Sequence, residues 1–285
     1  MNTNTHTIFE RDGYQLHVQK QGRGPNLIII GSVAYYTKVI PPTLSQHFTC
    51  IFVDHRGFAV GSKDKSFDVD LNILSNDLEY ICHQLGISIA HLLGHSGHAF
   101  MALHFANNTL LEIKGVFLIG APPSLSDEMH AAQLNHWEEK ASFARKQVFE
   151  KNIAHLESDI AKQPDKKFVH LCRRLGAMRW ANPEFDELKL WQDVPTNTDI
   201  LDTLWGELFR DIKISAYLKG FDVTVINGEL DFSIAPLSVW SELSQQYKNL
   251  RLIELKGVSH TPMYEAPDEF VSLLCRLTFA KHTED

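Results

Sequence analysis

Four short, nearly continuous apolar runs punctuate the first 121 residues: "NLIII" (26–30), "TCIFV" (49–53), "AHLLG" (90–94) and "GVFLI" (115–119). Runs of this length, bounded by polar and turn residues, predict strands buried on both faces of a parallel sheet. An earlier stretch, "YQLHVQKQ", predicts a strand joined to the first run by a Gly-Pro turn. Between the runs the period changes. Leu71, Leu74, Leu78, Ile81 and Leu85 recur at three- and four-residue steps, and Gly86 follows, which predicts an amphipathic helix and its stop. A Pro-initiated helical stretch is expected after the first run, and "AFMALHFANN" predicts a further helix.

Beyond Pro122-Pro123 the strand pattern disappears. Residues 124–213 carry only helical patterns rich in Trp, Phe, Leu and charge, before "FDVTVING" and "NLRLIEL" restore strands and "PDEFVSLLCRLTFAKH" predicts a closing helix. Strands alternating with helices imply an α/β fold, a mostly parallel sheet flanked by helices. Residues 1–121 and 214–285 would build this core, and 122–213 an inserted helical cap.

Net charge is −8 with no Lys/Arg-rich run, so neither nucleic acid nor an anionic membrane is an expected partner. The opening "MNTNTHTIFERDGYQL" lacks an apolar signal core, and no apolar run reaches the ~18–20 residues of a membrane span. A soluble, cytoplasmic protein is therefore expected. Cys50, Cys82, Cys172 and Cys275 form no C-x-x-C pair and are expected as reduced, mostly buried side chains.

The candidate chemistry centres on "LLGHSGHAF" (92–100). His91, His95 and His98 lack the spacing of an H-E-x-x-H helix, so no metal is expected. Ser96, between two glycines at a strand-to-helix turn, would instead present its hydroxyl above the sheet's carboxyl edge. The Gly97 N–H at the helix start would be a donor for an oxyanion. A serine nucleophile needs a base and an orienting carboxylate. "GELD" (228–231) after one strand supplies Asp231, with Glu229 as the alternative, and the loop after the last strand supplies His260. In an open α/β sheet all three fall at the ligand-binding edge.

With the chain order Ser…Asp…His, this sequence resembles the α/β-hydrolase family over nearly its whole length. "DHRGFAVGS" (54–62) is similar to that family's D-x-R-G loop, and "HTPMYEAP" (260–267) to its terminal H-x-P-x-x-E-x-P loop. The resemblance implies Ser96 as nucleophile, His260 as general base and acid, and Asp231 as the orienting carboxylate. "GSVAYY", "GHSGHAFMAL" and "NGELDFSIAP" look most like the proline-iminopeptidase-like subgroup. Two departures stand out. "IIIGSVAYY" replaces that subgroup's His-Gly-Gly-Pro-Gly loop, leaving the backbone of Ser32 or Val33 as the second oxyanion donor. His98 occupies a place that commonly holds Gly or Ala, where a side chain would crowd the turn, and it becomes a candidate substrate contact.

The expected activity is cofactor-free hydrolysis of an ester or amide bond in a small substrate. Two alternatives are an iminopeptidase, with Glu207 of the cap holding the amino terminus of a short peptide, and a non-catalytic binding protein on the same fold. His55 and Arg56 are expected to anchor their loop, as is Glu265. The aromatics Trp137, Phe143, Trp180, Trp191, Trp205 and Phe209 are expected to form the cap's own core, with one or two of them lining the pocket.

Overall fold

The computed structural model describes residues 4–61, 69–218 and 220–279. Ser62 of the Asp54–Ser62 motif and the end of the final helical pattern (280–282) lie outside them. The strands are β1 (Thr5–Arg11), β2 (Tyr14–Gly22), β3 (Asn26–Gly31), β4 (Thr49–Asp54), β5 (Val60–Gly61), β6 (Ile89–His95), β7 (Glu112–Ile119), β8 (Val223–Gly228) and β9 (Leu250–Leu255). They form one sheet in the order β1-β2-β4-β3-β6-β7-β8-β9, with β5 paired to β2. From β4 to β9 every neighbouring pair is parallel, and β1 and β2 add an antiparallel edge.

The continuous apolar runs reflect burial on both faces. Ile28 and Ile30 enter one core with Leu92, Phe100 and Leu103, while Leu27 and Ile29 enter the other with Leu93, Phe117 and Phe270. Each such side chain, taken from water to full burial, contributes ~1.5–3 kcal/mol. Helices α2 (Leu71–Gln84) and α3 (His98–Asn108) cover the first face, and α1 (Val33–Val39) and the C-terminal Pro267–Phe279 helix cover the second. The predicted α2 forms where the period placed it, with Asp70 Oδ1 accepting from Ile73 N–H as its N-cap.

Two sequence expectations shift. The helix after β3 starts at Val33, capped by Ser32, while the expected Pro-initiated stretch makes only a 3₁₀ turn, Pro42–Gln46. β1 was not foreseen: "THTIFER" is largely exposed and polar, so no hydrophobic alternation marks it.

Between β7 and β8 the described residues are helical and irregular, with no strand. Ser126 caps α4 (Asp127–Lys140) and Ser142 caps α5 (Phe143–Ile153). Further along lie α6 (Leu156–Lys162), α7 (Lys167–Arg174), α8 (Gly176–Arg179), α9 (Thr198–Thr203) and a π-helical turn, Leu204–Leu208. Phe143 is a correction to the expected cap core: as the first residue of α5 it points outward, 77 % exposed. Among the described residues no helix is long and apolar enough to cross a membrane.

Candidate active site

β3 has β4 on one side and β6 on the other, so the strand order reverses at β3. Open α/β sheets bind ligands at the carboxyl ends of strands at such a reversal. Ser32, Ser96 and His260 all follow strands ending at this edge.

Ser96 sits at the tip of the β6–α3 turn with φ +58°, a left-handed backbone that a non-glycine residue rarely adopts. Its N–H donates to Ile119 O at 2.8 Å, and Ala99 N–H donates to its carbonyl. The close approach that the turn requires falls on Gly94. A Cβ there would lie 2.4 Å from His98 O and 2.6 Å from Ala99 Cα, both backbone atoms. A Cβ on Gly97 would meet the rings of Phe209 and Trp205 at 2.7 Å. The crowding expected at position 98 is therefore carried by positions 94 and 97, and His98 opens α3 with its side chain directed into the protein.

His260, 1 % exposed, is fixed on two sides. Its N–H donates to Arg179 O at 3.0 Å, and its Nδ1 lies 2.7 Å from Asp231 Oδ2. Asp231, 3 % exposed, also accepts through Oδ1 from the Ser233 hydroxyl at 2.6 Å and the Ser233 N–H at 3.0 Å. Because a carboxylate only accepts, the proton belongs on Nδ1, which leaves the lone pair on Nε2. That Nε2 is buried and, among the described residues, has no hydrogen-bond partner. The ring stands against Gly120, directly after the Ile119 carbonyl that receives Ser96 N–H. No hydrogen bond joins Ser96 to His260 here; such contacts commonly tighten when substrate binds. Ser233 carried no sequence signal, since its role depends on a turn that folds it back onto Asp231.

Of the two oxyanion candidates after β3, Val33 has its N–H committed to Asp54 Oδ1 at 2.6 Å. Ser32 uses its hydroxyl to cap Tyr35 N–H and lines the same pocket as Ser96.

His55, His98, Tyr36 and His95 form one hydrogen-bonded chain whose direction its ends determine. His95 Nε2 is 2.9 Å from His260 O, a carbonyl, so Nε2 must donate and Nδ1 must accept. The Tyr36 hydroxyl therefore donates to His95 Nδ1 at 3.2 Å. His98 Nδ1 lies 2.9 Å from Tyr36 Oη and 3.1 Å from His95 O, so it donates, leaving Nε2 to accept. His55 Nε2–H donates to it at 3.1 Å, and His55 Nδ1 accepts from Gly57 N–H at 3.0 Å. Every ring is neutral in this arrangement. Burial lowers all three histidine pKa values, that of His98 to about 4. His95 and His98 are thus joined to the backbone of His260, while His91 lies apart, stacked on Phe117.

The two sequence departures fit one another. Gly31, φ +148°, is the last residue of β3 and opens the stretch that replaces the His-Gly-Gly-Pro-Gly loop. A Cβ at Gly31 would lie 2.2 Å from the Tyr36 ring and 3.1 Å from the His98 ring. The space beside Gly31 is filled by Tyr36 and His98.

The pocket beside Ser96 is narrow, with a cavity volume of about 20 Å³, and is walled by Tyr35, Tyr36, Phe58, His98, Arg179 and Trp191. Arg179, at the end of α8, was not singled out from sequence, nor was Glu187. Glu187 is fully buried; Trp180 Nε1 donates to its Oε2 at 2.6 Å and Trp191 Nε1 to its Oε1 at 3.2 Å. Burial acts to lower the Arg179 pKa, but Glu187, with smaller help from Cys172, Tyr35 and Asp231, holds it above the ordinary value. Trp191 and Trp180 thus serve this site, and Trp205 and Phe209 press on Gly97, whereas Trp137 packs separately with Met178 and Phe232.

Other candidates lie elsewhere. Glu229 is turned away, accepting from Gly257 N–H and pairing with Lys256. Glu207 is exposed on the π-helical turn. Glu265 bridges Ala181 N–H and Ser259 N–H, tying the His260 loop to the helical segment between β7 and β8. Arg56 is buried and holds Asp77 and Asp12. All four cysteines are free, and burial pushes the thiols of Cys50, Cys82 and Cys172 up to about 12.

The model of the α/β hydrolase fold family matches residues 29–267. This chain belongs to the α/β-hydrolase superfamily. It is 34% identical over 266 residues to the AB hydrolase superfamily protein YclE of Bacillus subtilis (strain 168), covering 92% of this chain and 95% of that one. Among solved structures it is similar to VinJ, with a TM-score of 0.73 at 15% identity over 97% of this chain and 98% of the other. It is similar also to the esterase EaEST from Exiguobacterium antarcticum, with a TM-score of 0.66 at 17% identity over 98% and 99% of the two chains. As an α/β-hydrolase the chain places the turn at Ser96 and the loop at His260 at the edge where members of this fold bind ligands.

Proposed function

We propose that this protein is a serine hydrolase that cleaves an ester or amide bond of a small substrate through an acyl-enzyme, with Ser96, His260 and Asp231 as its triad. The observation that carries the proposal is the state of His260: Nδ1 is held by Asp231, and Nε2 is left buried and unpartnered beside the strained turn of Ser96. An unpaired buried acceptor is costly unless a donor visits it, and the Ser96 hydroxyl is the donor this arrangement suits.

In the first step Ser96 Oγ attacks the carbonyl carbon while His260 Nε2 takes its proton, and Asp231 stabilises the resulting imidazolium. The oxyanion accepts from the N–H of Gly97 at the start of α3 and from the N–H of Ser32. Ser32 is favoured over Val33 because the Val33 N–H is already bonded to Asp54. His260 then protonates the leaving group. In the second half it deprotonates a water that attacks the acyl carbonyl, and Ser96 leaves with the proton restored. The chemistry needs no cofactor.

Steady-state hydrolysis of short-chain p-nitrophenyl esters, with Ser96→Ala as control, tests this. The substitution is expected to lower kcat by ~10⁴-fold or more with little change in melting temperature. Equal rates for the two proteins would overturn the assignment.

A further inference from the structure

Two polar groups in the pocket have no role in the triad or in the histidine chain, and both are unsatisfied. Arg179 is 9 % exposed, and its Nε is buried without a hydrogen-bond partner among the described residues. The Tyr35 hydroxyl, on a side chain 3 % exposed, is likewise buried without a partner. Both line the pocket that Ser96 lines.

The carboxylate paired with Arg179 does not use up the guanidinium. Glu187 Oε1 is 3.5 Å from Arg179 Nε, and both Glu187 oxygens already receive indole N–H groups. Glu187 therefore keeps Arg179 charged and in place from behind. A guanidinium has five N–H donors in a planar fork suited to a carboxylate, and among the described residues no hydrogen bond from this one is satisfied. A buried cation and a buried phenol left open beside a nucleophile are costly in the empty protein and become favourable when an anion fills them.

We infer that Arg179 and Tyr35 form a receptor for a carboxylate on the substrate, so that the bond cleaved belongs to a small ester or amide bearing a free acid group. The inference rests on the serine-hydrolase proposal above and narrows its substrate class. Trp191, which packs against Tyr35 with tilted rings and centroids 4.3 Å apart, fixes the phenol and gives the acyl chain an apolar wall. The same guanidinium repels an ammonium group, so a substrate with a free amino terminus would be disfavoured at this pocket. Glu187 cannot offset this by contact, because it is fully buried behind Arg179.

The test compares kcat/KM for the mono-p-nitrophenyl ester of glutaric acid, the neutral p-nitrophenyl valerate and the cationic p-nitrophenyl 4-aminobutyrate. The wild type should prefer the acid over the neutral ester by about 10- to 100-fold and use the cationic ester least, the range expected of hydrogen bonds to a charged group. In Arg179→Met the acid-to-neutral ratio should collapse towards one, in Arg179→Lys it should be partly retained, and in Tyr35→Phe it should fall by about 5- to 10-fold. The ratio is the readout because Arg179 also receives the His260 N–H on its carbonyl, so absolute rates will change. A wild-type preference for the neutral or cationic ester, or an unchanged ratio in both Arg179→Met and Tyr35→Phe, overturns the inference. If Arg179→Met does not fold, Tyr35→Phe and competitive inhibition of the wild type by glutarate against glutaramide decide it. If the wild type turns over none of the esters, the hydrolase proposal fails by itself. A thermal shift given by glutarate and not by glutaramide, and lost in Tyr35→Phe, still supports the anion receptor; no shift overturns it.

Discussion

His98 shows how one unusual residue is absorbed by its surroundings. From sequence it looked like a steric intrusion into the nucleophile turn. Its ring instead occupies the space beside Gly31, and both of its nitrogens are paired, to Tyr36 and His55. Neutrality is required at every ring in the chain, which has a consequence for stability. An unfolded histidine titrates near 6.5, whereas burial lowers the folded value of His98 to about 4. Below pH 6.5 the unfolded state binds the proton first, so this contribution to stability is present above 6.5 and is lost as pH falls towards 4. By pH 5 the loss attributable to His98 amounts to ~2 kcal/mol. Asp54 works in the opposite sense, because burial raises its carboxyl to about 7, and its effect persists in a His98 variant. The stability gap between wild type and His98→Gln, measured by urea unfolding, should therefore shrink by ~2 kcal/mol from pH 7 to pH 5. An equal gap at both pH values would contradict the neutral chain.

The β6–α3 turn works because its side chains are omitted where backbones meet. Gly94 faces the backbone of His98 and Ala99, neither of which can move without displacing α3. Gly94→Ala is thus expected to cost ~2–4 kcal/mol, the range of severe overpacking. Gly86 provides the reference: it ends α2 at φ +66°, and a Cβ there would meet nothing within 4 Å. Gly86→Ala should cost only ~1 kcal/mol of backbone strain. Urea midpoints check this, and similar losses in the two variants would contradict the close approach. These elements also mark what a sequence can disclose. The parallel strands, α2 and the Ser96 and His260 loops were legible because burial on two faces, helical period and turn chemistry are local. β1 was not, because an exposed edge strand needs no apolar alternation.

The proposed triad residues come from loops after β6, β8 and β9, whereas Arg179 arrives from the helical segment between β7 and β8. That division explains the rest of what was hidden. Motifs at the sheet edge carry their own spacing, but Arg179, Glu187, Trp180 and Trp191 find one another only through packing of the insertion onto the core. Tyr35 and Ser233 gain their roles the same way, through neighbours distant in the chain or a fold-back turn. Glu207, the acid that the sequence suggests, is exposed on its turn, whereas the buried acid Glu187 carries no motif. The central claim is that Ser96 is the nucleophile activated by His260. Intact-mass analysis after treatment with a fluorophosphonate, followed by peptide mapping, tests it most directly. One adduct per chain, located on Ser96 and missing from Ser96→Ala and from heat-unfolded protein, is the predicted result. An adduct on another residue, or equal labelling of wild type and Ser96→Ala, would contradict it.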